Sequence, residues 1–89
     1  MPIVRIPTPL RAYTNGQDVV EVQGTTVRAA LGDLTTIFPD LLERLFEGQD
    51  LRRFINAFVQ DEDIRYLNEL ETPVTETDEI NLIPAVAGG

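Results

Sequence analysis

The last six residues, Pro84-Ala85-Val86-Ala87-Gly88-Gly89, contain the chemical group with the clearest potential for function. Glycine lacks a Cβ, so the terminal Gly88-Gly89 pair is thin enough to enter a narrow active site. Its reactive handle is the carboxylate of Gly89. The residues after Pro84 reach about 16–18 Å when extended, at roughly 3.3–3.6 Å per residue. They can carry this carboxylate into another protein; the alternative is a frayed chain end.

The composition limits the chemistry that the remaining residues can perform. The chain has 89 residues, with no cysteine, no histidine and no lysine, and all seven basic residues are arginine. Without cysteine and histidine there is no ordinary zinc site and no thiol or imidazole catalysis. Without lysine, no side-chain amine can attack an activated Gly89; the alternative is a general preference for arginine. We expect the chain to bind no metal and no cofactor.

Charge and hydropathy indicate the kind of partner and the compartment. The net charge of −8 repels phosphate backbones, so nucleic acid is not expected as a partner. The same charge favours a partner with a basic surface. No apolar run is long enough to span a membrane, and the N-terminus lacks the pattern of a secretory signal. We therefore expect a cytoplasmic protein that does not bind membranes.

Five short segments have the composition of β-strands, and one segment has the period of a helix. The predicted strands are 3–6, 18–22, 52–59, 64–66 and 78–83. Thr25 or Thr26 can cap a helix, which Pro39 ends. A shorter helical turn follows at 41–46. Since one long helix can cover only one face of the sheet, the pattern predicts an α+β domain of two layers.

The apolar positions of these segments predict which residues form the core. They alternate along the strands and recur at i, i+3, i+4 and i+7 along the helix. The predicted core is Val4, Ile6, Val20, Val22, Val27, Leu31, Leu34, Ile55, Ala57, Val59, Ile80 and Leu82. We expect one domain over residues 1–84, followed by a flexible tail over residues 85–89.

The other face of the predicted sheet is also partly apolar. Phe54, Phe58 and Ile83 lie on the side that points away from the helix, where antiparallel sheets are often exposed to solvent. Apolar patches of this kind commonly bind partners, so we assign these residues, with Val86 of the tail, to partner binding. The alternative is that segment 41–46 covers them.

Two charged groups have both a structural and a functional interpretation. The run Asp61-Glu62-Asp63 lacks the spacing of a calcium-binding loop, so a solvated hairpin turn is predicted. Arg52, Arg53 and Arg65 can form exposed ion pairs of small value with nearby acids. They can instead contact a partner.

The order of elements, together with the terminal Gly88-Gly89, resembles the ubiquitin-like β-grasp pattern over the whole chain. This resemblance implies a mixed sheet of four to five strands packed on one main helix. The strongest local matches are segment 53–59, the acidic turn followed by Ile64-Arg65-Tyr66, and the tail from Leu82 onward. These segments resemble the prokaryotic sulfur carriers of the MoaD/ThiS family. Within that family the chain is most similar to the carriers of one bacterial cysteine-biosynthesis route. It also resembles the small subunit of molybdopterin synthase.

The resemblance implies a specific chemistry at the chain end. An adenylating enzyme of the ubiquitin-activating type would use ATP to activate Gly89, and a sulfur donor would convert it to a thiocarboxylate. Gly88 would provide steric clearance. A second enzyme, similar to cysteine synthase, would let this sulfur attack an aminoacrylate held on pyridoxal phosphate, and a zinc peptidase would release the amino acid. These cofactors belong to the partners, so the chain is expected to be a protein co-substrate and not an enzyme.

Three other functions stay open on the sequence. The chain can be the small subunit that donates sulfur to the large subunit of molybdopterin synthase. It can be a protein modifier, with Gly89 joined to lysines of target proteins by an isopeptide bond. It can also be a structural binding module, whose function does not depend on the tail.

Overall fold

The computed structural model describes residues 1–84. Its strands are β1 Ile3–Arg5, β2 Val19–Glu21, β3 Phe46–Glu47, β4 Asp50–Leu51, β5 Ile55–Val59, β6 Glu62–Asp63 and β7 Glu79–Pro84. Its α-helices are α1 Val27–Ile37 and α2 Leu42–Leu45. Its 3₁₀ helices are Thr8–Tyr13, Pro39–Leu41, Ile64–Tyr66 and Glu69–Glu71. Within the described residues, no helix has both the length and the apolar character needed to cross a membrane.

Five strands form one mixed sheet in the order β2-β1-β7-β5-β6. The first and last strands, β1 and β7, are parallel, with Val4 opposite Ile80. The neighbouring pairs β1–β2, β5–β7 and β5–β6 are antiparallel. Strands β3 and β4 form a separate hairpin. The predicted α+β class and mixed sheet are confirmed, and β7 lies in the middle of that sheet.

Helix α1 covers one face of the sheet and begins where the sequence predicts. The Thr26 hydroxyl accepts a hydrogen bond from the Ala29 backbone N–H at 3.1 Å, so Thr26 is the N-cap. Just before the cap, Gly24 has φ +149°, and a Cβ built on it would lie 2.6 Å from the Ala30 backbone nitrogen. Only glycine allows this close approach of the chain to the first turn of α1.

The core lies between α1 and the inner face of the sheet. All twelve predicted core residues are buried, with at most 7% of their surface exposed. The structure adds five residues from outside the predicted strands and the main helix, one from the segment predicted as a strand at 64–66, and one more from α1. The additional core residues are Leu10, Ala30, Leu41, Leu45, Ile64, Leu70 and Val74.

The prediction of a strand at 64–66 is wrong. Gln60 and Asp61 have φ of 49° and 72°, and these two residues alone form the turn after β5. The return strand is therefore β6, within the run that was predicted as a turn. The Asp63 side chain then accepts a hydrogen bond from the Arg65 backbone N–H at 2.9 Å and starts the 3₁₀ helix Ile64–Tyr66.

Two other segments differ from the prediction by more than one residue at a boundary. Strand β5 begins at Ile55 rather than at residue 52, because the Ile55 N–H donates to the Arg52 carbonyl at 2.9 Å in a tight turn. The helical turn predicted at 41–46 is present but starts earlier, at Pro39, and Phe46 already belongs to β3.

Candidate partner-binding surface around the end of strand β7

The candidate site lies where the C-terminal tail begins. Pro84, the last residue of β7, is paired with Ile55, the first residue of β5. The chain therefore continues from the middle of the sheet, with neighbouring strands on both sides. Val86, Gly88 and Gly89 lie outside the described residues, so their assigned roles stay predictions. Pro84 is the last described residue before the tail.

The outer face of the sheet beside this point carries accessible apolar side chains between two asparagines, Asn56 and Asn81, and Phe54 just precedes β5. Phe54 is 48% exposed and Ile83 is 46% exposed, while Phe58 is half-buried. Asn56 lies opposite Ile83 and Phe58 lies opposite Asn81, so Phe58 and Ile83 are diagonal neighbours on adjacent strands. Diagonal side chains at about 7–8 Å are within reach of each other when one is aromatic. The proposed partner-binding residues Phe58 and Ile83 thus share one surface.

Segment 41–46 does not cover this surface, contrary to the alternative that the sequence left open. Leu41 and Leu45 are fully buried in the core. The 3₁₀ helix Pro39–Leu41, which contains Leu41, packs against α1 and the 3₁₀ helix Thr8–Tyr13. Helix α2, which contains Leu45, packs against Pro39–Leu41 and β3. Phe54 and Ile83 remain exposed, and their role in binding a partner stays a prediction.

Arg65 is held in one orientation by a nearly buried carboxylate. Its Nη2 donates to Asp63 Oδ2 at 2.7 Å, and its Nε lies 3.2 and 3.1 Å from the two carboxylate oxygens. The Asp63 side chain is only 8% exposed, whereas that of Arg65 is 62% exposed. These side-chain hydrogen bonds from Arg65, aided by its backbone N–H, hold the pKa of Asp63 below its ordinary value. The same contact raises the pKa of Arg65.

The other two arginines singled out in the sequence differ in their contacts. Arg52 donates from Nε to the Glu43 carbonyl at 2.6 Å, and its Nη1 lies 3.9 Å from a Glu47 oxygen. Arg53 forms no ion pair and no side-chain hydrogen bond within residues 1–84. The predicted pairing with nearby acids is therefore confirmed for Arg65 and Arg52 but not for Arg53.

A concavity of about 720 Å³ is lined in part by Ile55, whose partner in β7 is Pro84. The lining includes Arg52, Arg53 and Arg65, and it also includes Asn56 of β5. The three arginines thus line one concavity, which also includes the strand partner of Pro84.

A smaller groove of about 340 Å³ lies on the other side of β7 and contains residues that the sequence interpretation missed. It is lined by residues 81–84 together with Arg5 and Arg11. Arg5 is paired with Glu79, and Arg11 donates from Nε to the Ile6 carbonyl at 3.0 Å. The sequence lacked the information on strand order, since the parallel pairing of β1 with β7 places this N-terminal segment beside the end of β7.

A mixed sheet that holds one main helix, with its first and last strands parallel at the centre, defines a ubiquitin-like β-grasp domain. The sequence model of the ThiS family matches residues 4–89. The chain is also 40% identical over 89 aligned residues to the sulfur carrier protein CysO of Mycobacterium tuberculosis, covering 97% of this chain and 96% of that protein. The chain therefore belongs to the ThiS family of ubiquitin-like sulfur carrier proteins, which are carriers and not catalysts.

Solved structures agree with this assignment. A chain in the crystal structure of the Amycolatopsis orientalis BexX/CysO complex is 40% identical, with full coverage of both chains and a TM-score of 0.93. The solution structure of small archaeal modifier protein 1 from Methanosarcina acetivorans is 32% identical. The alignment covers 99% of this chain and 95% of the archaeal protein, with a TM-score of 0.88. Similarity at this level extends over the whole domain.

Proposed function

We propose that this chain carries sulfur as a thiocarboxylate on Gly89. The observation that carries the proposal is the 40% identity to CysO, named a sulfur carrier protein, over nearly the whole of both chains. The family match also runs through residue 89 and so includes the terminal glycines. The position of Pro84 next to the exposed Ile83 also supports the proposal, because a partner can bind the domain there while its active site receives the tail.

The proposed chemistry takes place on the chain end and needs two reactions by partners. An adenylating enzyme joins the Gly89 carboxylate to AMP from ATP and releases pyrophosphate. A sulfide donor then attacks the acyl carbon, AMP leaves, and a thiocarboxylate remains. The domain contributes a surface that partners recognise and a tail that extends into their active sites. It contains no cysteine or histidine for acid–base or nucleophilic catalysis.

We further propose that the sulfur is used to make cysteine. Two of the three relatives reported above carry the name CysO, which favours this route over molybdopterin synthesis. The acceptor would be an aminoacrylate on pyridoxal phosphate in a partner enzyme, and a zinc peptidase would release the product. ATP, pyridoxal phosphate and zinc would all be bound by partners, in the cytoplasm.

The thiocarboxylate is tested by intact-mass spectrometry after incubation with an adenylating enzyme, ATP and sulfide. The wild-type chain should gain the mass difference between one sulfur and one oxygen atom. Gly89→Ala should gain little, because a Cβ at the last residue obstructs a narrow active site. A chain extended by one residue is the matched control, since it keeps both glycines but moves the carboxylate. Equal conversion of all three chains would refute the proposal.

Conjugation to proteins is a second candidate function. It is favoured by the similarity to small archaeal modifier protein 1, at 32% identity over nearly the whole chain. In that case Gly89 would form isopeptide bonds with lysines of target proteins. Affinity-tagged chain purified from its own cells separates the two functions. Free thiocarboxylate supports the carrier, and a series of high-mass adducts that require Gly89 supports the modifier.

A further inference from the structure

The charges of this acidic chain are distributed unevenly between the two ends of the sheet. We call the end that contains Pro84 the tail end. Because β5 is antiparallel to β7, the residues just before β5 lie at the tail end, and these include Arg52 and Arg53. Because β1 is parallel to β7, the segment just after β1, with Arg11, lies there as well. Asp18, just before β2, adds one carboxylate to this end.

The opposite end of the sheet is rich in carboxylates. The turn between β5 and β6 brings Asp61 and Glu62 to this end, next to the start of β7 with Asp78 and Glu79. A hydrogen bond from the Gln60 N–H to the Glu79 carbonyl, at 3.3 Å, joins the two segments. Glu21 of β2 lies at the same end, because its partner Ile3 is opposite Glu79. The net charge of −8 therefore does not describe the surface around the tail.

The concavity that Ile55 lines, one strand away from Pro84, presents guanidinium groups to solvent. Arg65 uses its Nε and Nη2 on Asp63, which leaves Nη1 and one Nη2 hydrogen available to another acceptor. Asp63 is nearly buried, so the exposed part of this ion pair is the cation. Arg53 is exposed and adds a second guanidinium to the same lining.

Four carboxylates also line the concavity, and two of them are already paired. Asp63 holds Arg65, and Glu71 lies 2.6 Å from the Nε of Arg28. The remaining carboxylates are Asp50 and Glu69. Four guanidinium groups line the concavity as well, so the lining is close to neutral in total. Arg53 and Arg65 are the exposed ones, whereas Arg28 and Arg52 are half-buried.

We propose that the enzyme that adenylates Gly89 surrounds its tail-receiving opening with carboxylates, which bind Arg53 and Arg65 of this chain. The proposal rests on the proposed function. It reverses the expectation from net charge that the partner is basic, because the opening must face the tail end and not the acidic end. Guanidinium groups bind carboxylates in a bidentate geometry, so Arg65, fixed by Asp63, is preorganised for such a contact.

The kinetic test compares charge reversals at the two ends of the sheet. Arg53→Glu should lower the association rate constant with the adenylating enzyme about tenfold at low ionic strength, because opposite charges accelerate encounter. The effect should disappear near 1 M salt, where the Debye length is about 3 Å. Glu62→Arg, at the acidic end, is the matched control and should change the rate little. Faster association of Arg53→Glu, or an equal loss in both variants, would overturn the proposal.

A peptide titration without any enzyme tests independently whether carboxylates bind the surface that contains Arg53 and Arg65. An oligoglutamate peptide should shift the backbone NMR signals of residues 53 and 65, and an oligolysine peptide should shift those of residues 61 and 62. Loss of the first set in Arg65→Gln, with the second retained, would confirm the assignment. Oligoglutamate shifts elsewhere, or stronger shifts of residues 53 and 65 by a single-stranded oligonucleotide, would refute it.

The two tests also separate this proposal from the proposed function. If wild-type chain forms no thiocarboxylate at any enzyme concentration, the proposed function fails while the peptide titration still decides which charge this surface binds. If thiocarboxylate forms and Arg53→Glu associates as fast as wild type at low salt, the proposed function stands and the acidic opening is refuted.

Discussion

Two adjacent residues of β7 show how this small domain separates stability from recognition. Leu82 points into the core and is 2% exposed, whereas Ile83 points outward and is 46% exposed. Side chains of a strand alternate between faces, so one strand supplies both surfaces without mixing them. Residues of the outer face can therefore change to suit a partner, while those of the inner face maintain the hydrophobic core.

Strand β5 repeats the same division. Ile55, Ala57 and Val59 are buried, while Asn56 and Phe58 between them are only partly covered. A β-grasp domain of this size has few residues to divide between a core and a binding surface. The alternation therefore provides the means of carrying a partner-binding face on the same two strands that hold the sheet together.

The largest predicted effect is on stability, and it tests the comparison within β7. Leu82→Ala should lower the free energy of unfolding by about 2–5 kcal/mol, because it removes buried methyl groups and leaves a cavity. Ile83→Ala should lower it by about 0.5 kcal/mol or less, as is usual for exposed positions. Chemical denaturation of both variants measures the difference. Similar losses in the two variants would mean that the outer face is also part of the core.

The second prediction compares one exposed apolar residue from each of the two layers in a binding experiment. Ile83→Gln should weaken binding to the adenylating enzyme about five- to tenfold, because a central apolar contact is worth about 1–1.4 kcal/mol. Ile37→Gln is the matched control, since Ile37 is 47% exposed on α1, in the other layer. Calorimetry on the folded variants gives both affinities. Equal affinities would show that the partner does not bind the outer face through Ile83.

The sequence was sufficient for the parts of the fold that have a regular period. Thr26 and the spacing of Val27 and Leu31 predicted α1, and alternation predicted which residues of β5 and β7 are buried. It was insufficient for Leu41, Leu45, Ile64 and Leu70, because short helices and 3₁₀ turns contain too few residues to show a period.

The candidate site was predictable to a similar degree. Alternation placed Phe58 and Ile83 on the outer face, and the structure finds them there. Arg11 and Arg53 lie at the same end of the sheet as Pro84 only because β1 and β5 both flank β7, and strand order is not encoded in any local pattern. The strand predicted at 64–66 failed for a local reason, since the Asp63 side chain caps a 3₁₀ helix instead.

The smallest predicted effect concerns the ion pair next to the outer face and depends on pH. In the folded chain, hydrogen bonds from Arg65 hold the pKa of Asp63 below its ordinary value of 3.8. A lowered pKa in the folded state means that the pair stabilises the fold fully above the unfolded pKa. This contribution is lost as the pH falls through the lower folded pKa. Wild type should therefore lose stability relative to Asp63→Asn on acidification below about pH 4.

Thermal unfolding of both chains from neutral to strongly acidic pH measures this difference. Arg65→Gln is the matched variant, because it keeps the carboxylate but removes the guanidinium that lowers its pKa. It should lose the larger part of the pH-dependent component that Asp63→Asn loses, because the Arg65 backbone N–H remains and still lowers the pKa of Asp63. If the gap between wild type and Asp63→Asn stays constant with pH, the Asp63 carboxylate does not stabilise the fold through its charge. Its role would then be limited to the hydrogen bond that starts the 3₁₀ helix, which an asparagine side chain can also accept.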